Sequence, residues 1–131
     1  MKLRIKGNSI RYRLSKTDIE TFGDKGYIEE RTEIGPGLFV YALQGSDELN
    51  LTASLGTNNL TIYMPTSWIS EWVATERVGY EHYMNLTNGN KLYLLLEKDF
   101  QCLDETSEDQ SDNYANPLAG KNVKDTRDGD D

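Results

Sequence analysis

Apolar and polar residues alternate along most of the first 98 positions, a pattern typical of half-buried β-strands. Residues 2–6 and 9–14 alternate in this way, and Gly7-Asn8 between them suits a two-residue hairpin turn with positive φ. Further strands are predicted at 26–34, 38–44, 49–55, 59–64, 78–86 and 91–98. The chain is therefore predicted to consist mainly of consecutive β-hairpins.

Two short helices interrupt the predicted strands. The first is expected from Lys16 to about Phe22, because Ser15-Lys16-Thr17-Asp18 resembles a capping box and Gly23 is a typical helix end. The second is expected over about 67–76. Its apolar stripe consists of Trp68, Ile69, Trp72 and Val73.

The resulting element order, β-β-α-β-β, occurs twice along the chain. At an offset of 50 residues, the apolar positions of the second strand match those of the sixth. The matched residues are Ile10, Tyr12 and Leu14 with Leu60, Ile62 and Met64. We interpret this agreement as an internal duplication, with pseudo-repeats at 1–45 and 49–98.

Eight strands in a domain of this size must protect their edges from pairing with other chains. Closure into a barrel removes the edges. The predicted fold is therefore α+β, an antiparallel eight-stranded barrel-like sheet with two short helices. A twisted sheet that carries both helices on one face is the alternative.

Charge divides the chain into two parts. The net charge of −8 comes almost entirely from the end: residues 1–98 hold 11 basic and 12 acidic residues, and residues 99–131 hold 3 and 10. We therefore predict one β-rich domain at 1–103 and an acidic, largely disordered tail at 104–131. The negative balance argues against a nucleic-acid partner.

The remaining composition excludes several classes of protein. No apolar run is long enough for a membrane span, and the first residues lack the apolar segment of a signal peptide, so a cytoplasmic location is predicted. Cys102 is the single cysteine, which excludes an intrachain disulfide. Phosphate-loop and paired-cysteine motifs are absent from the sequence, and no metal or cofactor is predicted.

The first hairpin carries an unusual concentration of basic residues on one face. Its predicted register places Arg4 opposite Arg11, and like charges in this position repel each other. This repulsion requires a counter-anion, for which three sources are open: a ligand, the carboxylates of another strand, or the acidic tail. Arginine suits bidentate binding of phosphate or carboxylate. The candidate ligand-binding residues are Lys2, Arg4, Lys6, Arg11, Arg13 and Arg31.

Three functions remain open at this point. The leading one is non-enzymatic binding of a phosphorylated or polyanionic small ligand on the basic strand face. The second is a divergent metal-dependent phosphohydrolase. Its candidate metal or acid–base groups are Glu29, Glu33, Glu81 and Glu97. The third is an interaction module, in which the basic face or the tryptophan helix docks a protein partner and the acidic tail competes for it. The oligomeric state is not predicted.

Two stretches carry a family resemblance. The first is Met1-Lys2-Leu3-Arg4-Ile5-Lys6-Gly7-Asn8-Ser9-Ile10-Arg11-x-Arg13-Leu14, and the second is Leu96-Glu97-Lys98-Asp99-Phe100-x-Cys102-Leu103. Together they resemble a family of small uncharacterised bacterial proteins, known as a domain of unknown function. The resemblance extends to about Asn116-Pro117. It implies a bacterial cytosolic protein and assigns no activity and no functional residues.

A remoter resemblance is architectural. From the second strand onward, the order β-α-β-β-β is similar to the eight-stranded tunnel of CYTH-like triphosphate tunnel enzymes, and Lys25-Gly26-Tyr27-Ile28 resembles the strand after their first helix. Those enzymes hold a metal with an opening Glu-x-Glu-x-Lys strand. The corresponding strand here reads Ile10-Arg11-Tyr12-Arg13-Leu14 and lacks both glutamates. The resemblance therefore implies an anion-binding tunnel without the metal.

Overall fold

A computed structural model describes residues 1–99 together with Asp112 and Tyr114. The elements are β1 Lys2–Lys6, β2 Ser9–Leu14, α1 Lys16–Lys25, β3 Tyr27–Ile34, β4 Gly37–Ser46, β5 Thr52–Gly56, β6 Asn59–Pro65, α2 Thr66–Ala74, β7 Gly79–Asn85 and β8 Lys91–Lys98. The order β-β-α-β-β thus occurs twice, as predicted. Cys102, the predicted boundary at 103 and most of the predicted tail lie outside the described residues.

The eight strands form two four-stranded sheets, with the orders β1-β2-β8-β7 and β3-β4-β6-β5. The predicted antiparallel barrel is wrong on two counts. The described strands do not close into one barrel, and each sheet is mixed, because β2 pairs with β8 and β4 pairs with β6 in parallel. The reason is an exchange between the two halves of the chain: each sheet takes one hairpin from each half. A local alternation pattern predicts hairpins, but it does not show which hairpin edges meet.

The core lies between the inner faces of the two sheets and the helices. Tyr12 is fully buried, and its hydroxyl donates a hydrogen bond of 2.9 Å to the backbone carbonyl of Ala42, which joins the sheets. All six apolar residues that matched at the 50-residue offset are buried. The apolar faces of β2 and β6 are thus the centre of the fold, and their alternate residues face outward.

Helix α1 begins where the sequence predicts and ends later. The capping box is present, with Ser15 Oγ accepting from the Asp18 N–H and Asp18 Oδ2 accepting from the Ser15 N–H. The predicted end at Gly23 is wrong, because the helix continues to Lys25 and is capped by Gly26 at φ 71°. A Cβ at Gly23 would lie 2.7 Å from Cγ2 of Val73, so the absence of a side chain there lets α1 approach α2.

Candidate functional site

The first hairpin has the predicted register. Lys2 pairs with Arg13, Arg4 with Arg11 and Lys6 with Ser9, and Gly7 adopts φ 55° in the turn. Since the alternate residues of β2 are in the core, these basic side chains belong to the outer face of the first sheet. We call Lys2, Arg4, Lys6, Arg11 and Arg13 the basic face.

Arg31 does not belong to this cluster. It lies on β3 in the other sheet, where its Nε donates to Glu29 Oε2 at 2.6 Å and its side chain is 65% exposed. The hydrogen bond with Glu29 raises the pKa of Arg31. The pKa of Glu29 is lowered mainly by a hydrogen bond from the Tyr27 hydroxyl and next by the one from Arg31. The structure therefore brings together five of the six predicted site residues.

Strand β8 and the residue that follows it supply counter-anions to the basic face. Arg11 Nε donates to Glu97 Oε1 at 2.8 Å, and Arg13 Nη2 donates to Asp99 Oδ1 at 2.8 Å. Lys2 Nζ lies 3.1 Å from Asp99 Oδ2. The side chains of Glu97 and Asp99 are only 10% and 4% exposed, so these pairs are poorly screened by solvent. Carboxylates of another strand, one of the three predicted sources, are thus observed.

A groove opens along the rest of the basic face. It has a volume of about 200 Å³ and is lined by Arg4, Lys6, Ser9, Ile10, Arg11, Tyr93 and Leu95. We call it the basic groove. The β1–β2 hairpin brings five cations and no acidic residue to this face, in a chain whose net charge is −8. The groove therefore offers guanidinium, ammonium and hydroxyl donors to a compact anion.

Two residues of the predicted acidic tail are described, Asp112 and Tyr114, and they contact α1 and the end of β8. Asp112 binds the start of α1, where its carbonyl accepts from the Lys16 N–H and its Oδ1 accepts from the Thr17 N–H and Oγ1. Hydrogen bonds from Ser15 and Thr17 hold the pKa of Asp112 below its usual value. Tyr114 donates its N–H to the carbonyl of Asp99 at 2.9 Å. Tyr114 therefore lies beside the end of β8.

A second, larger cavity lies beside the basic groove, and the sequence did not predict it. Its volume is about 520 Å³, and its lining residues are Trp68, Glu71, Arg77, Val78, Gly79, Tyr80, Glu81, Leu95 and Glu97. We call it the aromatic cavity. The only sequence feature that pointed to this cavity was the one-turn spacing of Trp68 and Trp72 on the second helix. That spacing favoured core packing of both side chains over a binding patch.

Aromatic stacking and carboxylates organise this cavity. The rings of Trp68 and Tyr80 are stacked at 5.0 Å, and the Arg77 guanidinium lies 4.0 Å from the Tyr80 ring centroid. The Tyr80 hydroxyl donates to Glu71 Oε1 at 2.7 Å; burial and this bond raise the pKa of Tyr80 to about 12. Glu81 accepts from the hydroxyl of Tyr93, a residue of the basic groove.

The second sheet provides an internal comparison for the first. Both central ladders are parallel, and the pairing of Ser9 with Tyr93 corresponds to that of Asn59 with Val40. Together with the registers of the β1–β2 and β5–β6 hairpins, this correspondence gives each basic residue of the first sheet an equivalent position in the second sheet. A neutral residue occupies every one of these equivalent positions. The matches are Lys2 with Thr52, Arg4 with Ser54, Lys6 with Gly56, Arg11 with Thr61 and Arg13 with Tyr63. The same ladder therefore forms without any of the five cations.

The candidate hydrolase carboxylates are divided between the sheets. Glu81 and Glu97 line the aromatic cavity, whereas Glu29 and Glu33 lie on β3 in the other sheet. Within the described part of the chain, no group of three or more His, Cys, Asp or Glu side chains is placed to hold a metal ion.

In that same part, neither helix has the length and apolar composition that crossing a membrane requires.

These features define a small α+β protein with two mixed four-stranded sheets and a basic groove on the outer face of one of them. The chain belongs to a family of unknown function, DUF7009, whose sequence model matches residues 1–118. This confirms the predicted membership of an uncharacterised family. Comparisons with curated proteins and with solved structures give no match.

Proposed function

We propose that this protein binds a phosphorylated or polyanionic small ligand on its basic face without chemically converting it. The observation that carries the proposal is the contrast between the two sheets, in which one hairpin has five outward cations and its structural counterpart has none. Like charges on neighbouring strands cost stability. Because the same ladder forms without these charges, we infer that their role is to bind an anion.

The geometry supports binding at one end of the face. Glu97 and Asp99 hold Arg11 and Arg13 in defined positions, so that these side chains lose little further freedom when a ligand arrives. Arg4 and Lys6 line the basic groove beside Arg11. A phosphate group in the groove would accept hydrogen bonds from these three side chains, while Lys2 and Arg13 add to the positive potential.

Calorimetric titration with pyrophosphate tests this proposal. The informative variant is Arg4→Gln/Lys6→Gln, which removes two cations from the groove. The matched control is Lys25→Gln/Arg31→Gln, which removes the same charge from the exposed end of α1 and from β3. We expect saturable binding by the native protein and by the control, and at least about tenfold weaker binding by the groove variant. Equal affinities for both variants, or no binding by the native protein, would refute the proposal.

One observation favours the hydrolase as a second candidate. Glu81 and Glu97 line a single cavity, and Glu97 is bonded to Arg11 of the basic groove, so two carboxylates lie near a cation that is a candidate for phosphate binding. This candidate requires magnesium-dependent release of phosphate from triphosphate, with a large loss of rate in Glu81→Gln. Pyrophosphate binding without any phosphate release would favour the binding protein.

A further inference from the structure

The basic groove and the aromatic cavity adjoin each other on the first sheet. The aromatic cavity begins on the outer face at Glu81, Leu95 and Glu97 and continues around the edge strand β7 to Trp68 and Glu71 of α2, because Tyr80 faces the core. Leu95 lines both of them. Glu97 lies between the two, because it lines the aromatic cavity and accepts hydrogen bonds from Arg11 of the basic groove. A Tyr93–Glu81 hydrogen bond joins them at a second point. One ligand of sufficient length can therefore occupy both.

The two compartments have opposite chemistry. The basic groove offers donors to an anion, whereas the aromatic cavity contains the carboxylates of Glu71, Glu81 and Glu97, which when ionised only accept hydrogen bonds. The flat ring of Trp68 also lines the aromatic cavity. These groups suit a planar heterocycle that stacks on the indole and donates N–H groups to a carboxylate.

The sheet register sets the distance between the two compartments. Arg11 pairs with Leu95, and Leu95 pairs with Glu81 on the opposite side. Neighbouring strands are about 4.8 Å apart, so the backbones of Arg11 and Glu81 are separated by about 10 Å. This separation is close to the length of a nucleoside monophosphate. The cavity volume of about 520 Å³ lies in the range of small-molecule sites.

We propose that the ligand is a nucleoside phosphate, with the phosphate in the basic groove and the base in the aromatic cavity. This inference rests on the proposed anion-binding function and specifies its ligand class. Guanine carries two adjacent donors, N1–H and the exocyclic amine, which match the two oxygens of one carboxylate. Guanosine monophosphate is therefore the preferred probe.

The experiment compares three ligands by calorimetry on the full chain: guanosine monophosphate, ribose 5-phosphate and pyrophosphate. Ribose 5-phosphate has the same anion and sugar but no base. We expect the nucleotide to bind at least about tenfold more tightly than ribose 5-phosphate. We also expect Glu81→Gln and Trp68→Leu to abolish this difference without weakening pyrophosphate binding.

Two controls keep the test interpretable. Glu20→Gln removes an exposed carboxylate from α1 and should leave all three affinities unchanged. If Trp68→Leu fails to fold, Glu81→Gln alone decides the outcome, because its side chain is exposed and nearly the same size. Pyrophosphate binding with equal affinities for the nucleotide and ribose 5-phosphate would overturn the nucleotide inference and leave the anion site intact. Absence of binding by all three would overturn both.

Discussion

Replacing Glu97 by Gln should have opposite effects on stability and on anion binding. The carboxylate accepts from Arg11 Nε at 2.8 Å, and the two side chains are 10% and 13% exposed. Removing one partner of a buried ion pair costs about 3–5 kcal/mol, and a hydrogen bond to a charged group contributes about 1.5–3 kcal/mol. The Gln oxygen still accepts a hydrogen bond, so we expect a loss of about 2 kcal/mol in the free energy of unfolding.

Anion affinity should rise in the same variant, because the amide oxygen still accepts from Arg11 and keeps it in position while the negative charge is lost. Glu97 offsets part of the positive potential of the basic groove, and one unit charge at close range contributes about 1 kcal/mol even with the full screening of bulk water. We therefore expect pyrophosphate to bind about fivefold more tightly to Glu97→Gln. The matched position in the other sheet is Gln44, so the ladder itself accommodates this side chain.

Urea unfolding and pyrophosphate calorimetry measure the two effects separately. The control is Glu33→Gln, which makes the same chemical change at an exposed position of β3 and should alter neither quantity. An unchanged free energy of unfolding would show that the Arg11–Glu97 pair contributes nothing to the fold. Unchanged or weaker pyrophosphate binding would refute the electrostatic account of the basic groove.

Three further predictions concern the fold around the site. Gly79→Ala should destabilise the protein by at least about 3 kcal/mol in urea unfolding, because the new Cβ would lie 2.0 Å from the Leu96 carbonyl oxygen and force the backbones apart; a loss below about 1 kcal/mol would contradict this. Gly23→Ala should destabilise the native protein, because the new Cβ would collide with the Val73 side chain. In a Val73→Ala background the same substitution should stabilise the protein by up to about 1 kcal/mol, because alanine is a better helix former than glycine. A change of the same sign in both backgrounds would contradict the packing argument. Tyr80 has a raised pKa of about 12 against an ordinary 10.0, so its stabilising contribution is complete below pH 10 and is lost as the pH rises through 12. Burial raises the pKa of Tyr12 and Tyr93 as well, so tyrosinate absorbance should show several late-titrating groups, one fewer in Tyr80→Phe. An identical titration of the two proteins would disprove the prediction.

Much of the local structure was predictable because it depends on near neighbours in the chain. The strand and helix bounds lie within three residues of the predicted ones, and the register of the first hairpin follows from its Gly7 turn. The capping box of Ser15 and Asp18 is equally local. The concentration of cations on one face followed from the period of two alone.

Contacts between distant residues were not predictable in this way. Gly23 looked like a helix end, but its role is set by Val73, 50 positions later. Arg11 binds its counter-anion on β8, 86 residues away. Trp68 and Glu81 line one cavity, although they belong to different elements of the fold.

By itself, the sequence determined the elements, the turns and the faces on which its charges lie, because backbone sterics and side-chain alternation act over a few residues. Only the tertiary structure decided that the two halves exchange hairpins into two mixed sheets, that Arg31 is separated from the other basic residues, and that the basic groove adjoins the aromatic cavity. The physical reason is that all the hairpins have similar apolar faces, so local pattern does not distinguish their partners. Their pairing depends on which arrangement buries those faces together with both helices.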